Sequence, residues 1–425
     1  MDLNTRDQKH LWHPLTQHKS TPTHLGIIKA KGIYLYDEKG TKYIDAISSW
    51  YTCVYGHCHP HVVAKVTQQV TELDQIVFAG FTHKPAVELS EKLMEILPHN
   101  QQKIFFSDNG STTVDIAIKM SLQYHFNQHK KKLQIVALEN AFHGDTFGAM
   151  SVSGLDVYNG PFEDVVLDVD RVEVPNDINI AKVITKFTAL VATGQVACFI
   201  FEPLVQGANC MNIYKAKYLD RLIKIAQEHD VICIADEVMT GFGKTGKYFA
   251  SDYLVHKPDI LCLSKALTAG MVPMGLTTCS QKIYDAFYAD EIAKGFFHGH
   301  TYSANPIACV AAIASIELLT SFDIQQGINY IERAHLAFMD KIKEHVTVKA
   351  VRTIGVILAI DLNLEMDRYG NGRNEIFNHF MLAGVFLRPL GNTLYIVPPY
   401  IIAKEELEII YTLIHQFLDR KQTVK

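Results

Sequence analysis

Residues 231–236 read VICIAD and residues 260–270 read ILCLSKALTAG. Each is a short apolar run, and each stops on polar or charged groups: Asp236-Glu237 in the first, Ser264-Lys265 in the second. Unbroken apolar runs of that length fit strands buried on both faces, the pattern of a parallel sheet covered by helices. Working outward, the same alternation continues from about Pro85 to Asn305. Lys103 to Ser107 precedes a helical pattern over Thr112 to Gln128, Gln134 to Glu139 is another strand, and Val196 to Phe201 precedes a helix over Lys215 to Glu228. Strands spaced by helices predict an α/β fold with a mostly parallel sheet. In such sheets ligands bind beyond the carboxyl ends of the strands, which is where Asp236 and Lys265 fall.

After about Thr320 the pattern changes to α+β. It predicts a helix at Ile324 to Glu344, a strand pair near Lys349 to Asp361 and Val385 to Val397, and a last helix from Lys404 to Arg420. The expected organisation is an N-terminal segment (1–60) contributing to a small domain, a large α/β domain (61–320) and a small C-terminal α+β domain (321–425).

The 425 residues suffice for a large core plus a satellite, with 48% hydrophobic and 20% charged residues. A net charge of -5 gives no basic excess for a phosphate backbone, so nucleic acid is not expected as a partner. No apolar run approaches the ~20 residues that cross a bilayer, and MDLNTRDQKHLWHP has no apolar signal core. A soluble, cytoplasmic protein is expected. The eight cysteines are scattered without a C-x-x-C pair and read as buried, reduced core thiols.

Three features carry chemistry. Lys265 follows an apolar strand and precedes small residues, so its amine should lie in a partly desolvated pocket. Burial lowers a lysine pKa and suits Schiff-base formation, whereas a lone lysine is ordinarily a solvated charge. Asp236 ends a neighbouring strand, where the bland meaning is an N-cap or loop acid. FFSDNGSTTVD (105–115) follows a strand and opens a helix, so the N–H groups of Gly110, Ser111 and Thr112 can face an anion. Alone, that stretch reads as an Asn-Gly turn and a serine N-cap. Together the three describe a pyridoxal phosphate site, with a lysine for the imine, an acid for the pyridinium nitrogen and a cradle for the phosphate.

The chain resembles the subgroup III (ornithine/ω-type) aminotransferases of fold type I over nearly its whole length. The resemblance rests on NGSTTVDIAIKM, AFHGDTFGAMS, FEPLVQGA, IADEVMTGFGKTG and LSKALTAG. LWHP, SSWYTCVYGHCHP, HGHTYSANPIAC and LRPLGNTLYIVPPY narrow it to the branch of biotin synthesis that aminates 8-amino-7-oxononanoate with S-adenosylmethionine. The resemblance implies a homodimer with active sites at the subunit interface. It assigns Lys265 to the imine and to proton transfer, Asp236 to the pyridine nitrogen, Gly110 and Ser111 to the phosphate, and Phe142 to stacking on the ring. It places His300 and Thr301 on the phosphate of the neighbouring subunit's cofactor. For the substrate it implies Leu15, Trp50, Phe142, Gly299 and Lys265 as pocket residues, Asp145 as an acid near the substrate amine, and Arg388 as the carboxylate fork.

Four positions depart from the branch's pattern: Leu15, Tyr51, Phe142 and Lys244 stand where tyrosine, tryptophan, tyrosine and arginine are usual. They leave lysine open as the amino donor, and a general ω-aminotransferase of the ornithine or 4-aminobutyrate type is the alternative within the class. His57, His59 and His61, with Cys58, mimic a metal cluster. No distant C-x-x-C or H-E-x-x-H completes a ligand set, so they read as a turn before a helix at Val62 to Leu73, and no metal is expected.

Overall fold

The computed structural model describes residues 2–21, 23–154, 160–366 and 370–422. Its centre is a seven-stranded sheet. The strands are β1 (Gln101–Ser107), β2 (Gln134–Leu138), β3 (Val169–Val172), β4 (Val196–Phe201), β5 (Ile232–Asp236), β6 (Ile260–Leu263) and β7 (Gly275–Ser280). Their spatial order is β1-β7-β6-β5-β4-β2-β3. Neighbours from β6 to β3 run parallel, and β7 is antiparallel to both β6 and β1. One reversed strand in an otherwise parallel sheet leaves the carboxyl ends of β1, β2, β4, β5 and β6 on one edge of the molecule.

The apolar runs behave as buried parallel strands should. In β4, Phe199 and Phe201 join the core on one face of the sheet while Cys198 and Ile200 join the core on the other. In β6, Leu261 and Leu263 divide from Ile260 and Cys262 in the same way. The helix Gly110–Asn127 covers one face and starts in a capping box, Asn109 accepting from the Thr112 N–H while Thr112 answers toward the Asn109 backbone. The apolar helix Pro306–Leu319 packs on the other side and backs the turn after β6, where Ser315 Oγ donates to the Ala266 carbonyl at 2.9 Å.

The C-terminal segment differs from expectation in its strands. The stretch expected as one strand from Lys349 to Asp361 is a hairpin, Val348–Ile354 against Ile357–Leu362, turning at Gly355 with φ of 54°. The stretch from Val385 to Val397 is also two strands, and they belong to different sheets. Thr393–Ile396 completes the hairpin's antiparallel sheet, whereas Val385–Phe386 lies parallel to Lys42–Asp45 in a four-stranded sheet with Ile27–Lys31 and Tyr34–Asp37. Pro389 and the turn around Gly391, at φ of 58°, interrupt the run between them. Chain ends far apart in sequence thus share backbone hydrogen bonds, including Ala46 N–H to Phe386 O at 3.0 Å and Val397 N–H to Ala46 O at 2.8 Å. Six cysteines are buried as expected, but Cys58 is exposed in the 57–60 turn and Cys210 is half-buried, so these two are not core.

Candidate active site

The strand ends gather the reactive groups. Asp236 is paired in register with Cys262, so the turn that carries Lys265 begins beside it. Lys265 leaves β6 in the left-handed region, φ 47°, an uncommon conformation for a side-chain-bearing residue and one that strained functional turns retain. Ser264 Oγ, donating to the Met274 carbonyl at 2.6 Å, and the Ser315 bond to Ala266 hold the turn from both sides. The Lys265 Nζ lies 5.4 Å from the Tyr51 ring centre. Burial depresses its basicity, opposed by Asp236 and Glu202, so the amine is closer to its neutral, nucleophilic form than a surface lysine.

Asp236 does not act alone. Its Oδ2 lies 2.7 Å from His143 Nδ1, and Oδ1 accepts the Val238 N–H at 3.0 Å, which fixes the carboxylate at the end of β5. His143 is itself buried, and its Nε2 has no hydrogen-bond partner among the described residues. Behind the pair sits Glu202, at the end of β4 and 4% exposed. Glu202 accepts the Phe142 N–H at 3.0 Å and the Gly207 N–H at 2.9 Å. Burial pushes its carboxyl up to about 7, with His143 pulling it back and Asp236 adding to the rise. His143 and Glu202 stand in AFHGDTFGAMS and FEPLVQGA, but neither is marked as a site residue by its local sequence. Nothing in their spacing shows that residues from the β2 and β4 ends converge on Asp236.

At the end of β1 the chain turns into helix Gly110–Asn127. Asn109 takes the Thr112 N–H, while the N–H groups of Gly110 and Ser111 have no acceptor among the described residues. Ser111 Oγ accepts the Thr146 N–H at 2.9 Å and lies 2.8 Å from its hydroxyl, tying the loop after β2 to this helix start. Gly144 makes that approach possible: a Cβ there would come within 2.2 Å of Ser111 Oγ. A buried carboxylate held by an imidazole, a buried lysine amine with no hydrogen-bond partner among the described residues and an anion cradle at a helix N-terminus fit pyridoxal phosphate.

Trp50 and Tyr51 come from an unusual turn. Ser48, Ser49, Trp50 and Tyr51 all have positive φ, with Tyr51 N–H bonded to Ile47 O and Thr52 N–H to Ser48 O, both at 2.9 Å. This is a single left-handed helical turn built without glycine, at roughly 1–2 kcal/mol per residue. Asp45, fully buried, pins it by accepting from Ser49 Oγ at 2.8 Å and pairing with His57 at 2.8 Å. The turn brings Trp50 under the Arg388 guanidinium, 4.9 Å from ring centre to Cζ. Arg388 has no carboxylate partner among the described residues.

Other expected residues lie more openly. Phe142 is half-buried beside Glu202, and Asp145 and Leu15 are exposed. Gly299, His300 and Thr301 are exposed, His300 Nε2 lying 3.5 Å from Asp108, next to the phosphate cradle, and the Thr301 carbonyl accepting from Gln75. His57 and His61 turn to different carboxylates, Asp45 and Glu317. Lys244 is fully buried, donating to the Gly241 carbonyl at 2.9 Å.

Residues 15–418 match the class-III aminotransferase family. The chain belongs to this family. As a class-III aminotransferase it is 41% identical over 419 residues to an adenosylmethionine-8-amino-7-oxononanoate aminotransferase of Synechococcus elongatus, covering 96% of this chain and 98% of that one. The crystal structure of an enzyme of the same name from Methanocaldococcus jannaschii superposes with a TM-score of 0.91 at 32% identity, over 97% of this chain and 98% of the other. An amine transaminase from an uncultivated Pseudomonas species, solved with pyridoxal phosphate bound, superposes at 0.91 with 28% identity, over 96% and 98%.

Proposed function

We propose that this class-III aminotransferase converts 8-amino-7-oxononanoate to 7,8-diaminononanoate in biotin biosynthesis, with S-adenosylmethionine as amino donor. The observation that carries the reading is the 41% identity over 419 residues to a relative named for that reaction. The site's chemistry agrees with it. Pyridoxal phosphate, when bound, supplies the electron sink and carries the amino group from donor to acceptor.

The chain's own residues do the rest. Gly110 and Ser111 would hold the phosphate with their free N–H groups, and Asp236, oriented by His143, would hold the pyridine nitrogen protonated. Lys265, with its basicity lowered by burial, takes and returns the proton at the reacting substrate carbon. Phe142 would cover the ring by stacking, without a hydroxyl to donate a hydrogen bond. Trp50, Leu15 and Gly299 would wall the substrate pocket, and Asp145 would meet the substrate amine. Arg388, resting on Trp50 and free of carboxylate partners, would bind the acceptor's distant carboxylate as a bidentate fork.

The proposed working form is a cytoplasmic homodimer in which His300 and Thr301 reach the partner's phosphate. Among the described residues no single helix is long and apolar enough to cross a membrane. A donor screen tests the whole reading: purified enzyme, 8-amino-7-oxononanoate as acceptor, and S-adenosylmethionine, lysine, ornithine or 4-aminobutyrate as donor. Product with S-adenosylmethionine alone is expected; product with lysine alone replaces the donor, and no product with this acceptor overturns the assignment.

A further inference from the structure

Arg388 stands on the crossing between two sheets, after Val385–Phe386 and before Thr393–Ile396, where the strand pairing of neither sheet reaches it. The crossing is closed by Leu390 and Thr393, whose N–H groups donate to each other's carbonyls at 3.0 Å around Gly391. Both of these residues trace back to one guanidinium that the reaction has not yet used. Arg352, on the strand Val348–Ile354, places Nη1 2.6 Å from Asp361 Oδ2 and Nη2 2.9 Å from Oδ1, a bidentate pair across the hairpin. Asp361 Oδ1 also accepts from Thr393 Oγ1 at 2.7 Å, and Thr393 is buried.

On its other side Arg352 holds the arm that leaves β4 after Glu202. Its Nε donates to the Met211 carbonyl at 2.7 Å and its Nη2 to the Cys210 carbonyl. Those two residues, at φ of 53° and 55°, form the left-handed end of a small hairpin, Val205–Gln206 against Asn212–Ile213. Consecutive left-handed residues with side chains persist only where their surroundings hold them. Cys210 Sγ in turn donates to the Leu390 carbonyl at 3.4 Å. One guanidinium thus reaches the Arg388 turn twice, through Asp361 to Thr393 and through Cys210 to Leu390. It ties that turn to an arm whose root is fixed on Glu202, where the Gly207 N–H donates to the carboxylate at 2.9 Å.

We propose that Arg352 is a positioning residue for the acceptor, setting where Arg388 stands over Trp50 by tying its turn to the arm beyond Glu202. This rests on the proposed role of Arg388 as the carboxylate fork. Arg352 acts only through the turn and touches no reacting group. A misplacement of about 1 Å in a substrate-positioning group can cost about 100-fold, so a substrate that depends on Arg388 suffers and one bound elsewhere does not. A lysine at 352 would keep the charge but lose the planar fork that serves a carboxylate and two carbonyls together.

The test is separate half-reactions of the holoenzyme with 8-amino-7-oxononanoate and with S-adenosylmethionine, for the wild type, Arg352→Met, Arg352→Lys, Arg388→Ala and the variant carrying both Arg352→Met and Arg388→Ala. Arg352→Met is expected to raise the acceptor's KM and lower its kcat/KM by roughly 10- to 100-fold while the donor half-reaction stays near that of the wild type, and Arg352→Lys should not restore the loss. With Arg388 already replaced, Arg352→Met should cost the acceptor little more, because residues that act through one contact are not additive. Equal losses for the two substrates, or additive losses in the double variant, overturn the proposal. Should Arg352→Met fail to fold, Thr393→Val, which removes only the hydroxyl on Asp361, carries the same comparison. A crystal structure of the Arg352→Met or Thr393→Val holoenzyme reads the positioning without substrate: Arg388 displaced from the Trp50 ring supports it, and the 4.9 Å contact retained defeats it. A wild type that does not aminate 8-amino-7-oxononanoate defeats the proposed reaction instead, and that crystal structure then decides on Arg352 alone.

Discussion

His143 Nδ1 lies 2.7 Å from Asp236 Oδ2, both side chains buried at the end of β5. The imidazole occupies one carboxylate oxygen and the Val238 N–H the other, so the Asp236 side chain has no freedom to rotate away from the site. The two variants should therefore separate charge from orientation. Asp236→Asn is expected to keep the fold and lose most transamination, because an amide cannot hold a pyridine nitrogen protonated. His143→Gln should lose less, about 10- to 100-fold, the usual scale for a residue that orients a key ligand. Half-reaction rates for both variants check this, and a His143 variant as slow as the Asp236 variant would give the histidine a direct chemical part.

Lys265→Ala is expected to abolish turnover while leaving secondary structure and melting behaviour near those of the wild type. The side chain makes no hydrogen bond among the described residues, so the fold does not depend on it. The loss should be at least the ~100- to 10,000-fold typical of a positioned acid–base group, and greater where the covalent role is also removed. Steady-state assay of the purified variant, with circular dichroism as the control, provides the check.

Glu202 gives a pH-dependent stability. Its carboxyl is raised from 4.5 to about 7 by burial, with His143 opposing and Asp236 reinforcing. Between those values the folded protein holds a proton that the unfolded chain has released, so stability falls as pH rises through the window and is flat above it. The full effect is about 3 kcal/mol at most. Urea midpoints at pH 5 and pH 8 should fall further in the wild type than in Glu202→Gln; parallel changes in the two proteins would remove Glu202 as the source.

Lys244 has the opposite sign. Burial pulls its amine down to about 7, with the Lys265 charge adding and Glu237 opposing. Between pH 7 and 10.5 the unfolded chain carries a proton the folded one lacks, so this group's contribution improves with rising pH, and its penalty is complete below 7. Lys244→Met is expected to stabilise the protein at pH 6.5 and to lose that advantage by pH 9.5, where the lost bond to the Gly241 carbonyl remains. Melting temperatures at the two pH values measure it.

Strand positions and the chemistry at their ends were legible because both follow from local sequence. An apolar run that stops on Asp236 or Lys265 says where a buried strand ends, and the order of strand and helix says which edge those ends share. What was not legible depends on convergence. His143 reaches Asp236 from the β2 side and Glu202 from β4, and only the sheet order brings them together. The split of Val385–Val397 between two sheets was hidden for the same reason, since Val385 finds its partner at Ile44. The left-handed turn at Ser48–Tyr51 contains no glycine, so its backbone gave no sign in the sequence.

That turn sets up the last prediction. Arg388 rests 4.9 Å over Trp50, and Trp50 is placed by the strained turn that also brings Tyr51 toward Lys265. The guanidinium is thus held by a ring face on the Trp50 side of the site, and among the described residues it has no carboxylate partner. An acceptor with a carboxylate far from its reacting ketone needs such a fork to bring the carbonyl to the reacting amine. Removing one member of a desolvated charge pair typically costs ~2–5 kcal/mol, or about 30-fold to several thousand-fold in specificity. Arg388→Ala is therefore expected to raise the acceptor's KM and lower its kcat/KM much more than the donor's. Trp50→Leu should produce a smaller loss of the same kind, because it removes the support and leaves the charge. Half-reactions measured separately with 8-amino-7-oxononanoate and with S-adenosylmethionine decide the matter: equal losses for both substrates, or none for the acceptor, would take the carboxylate role away from Arg388.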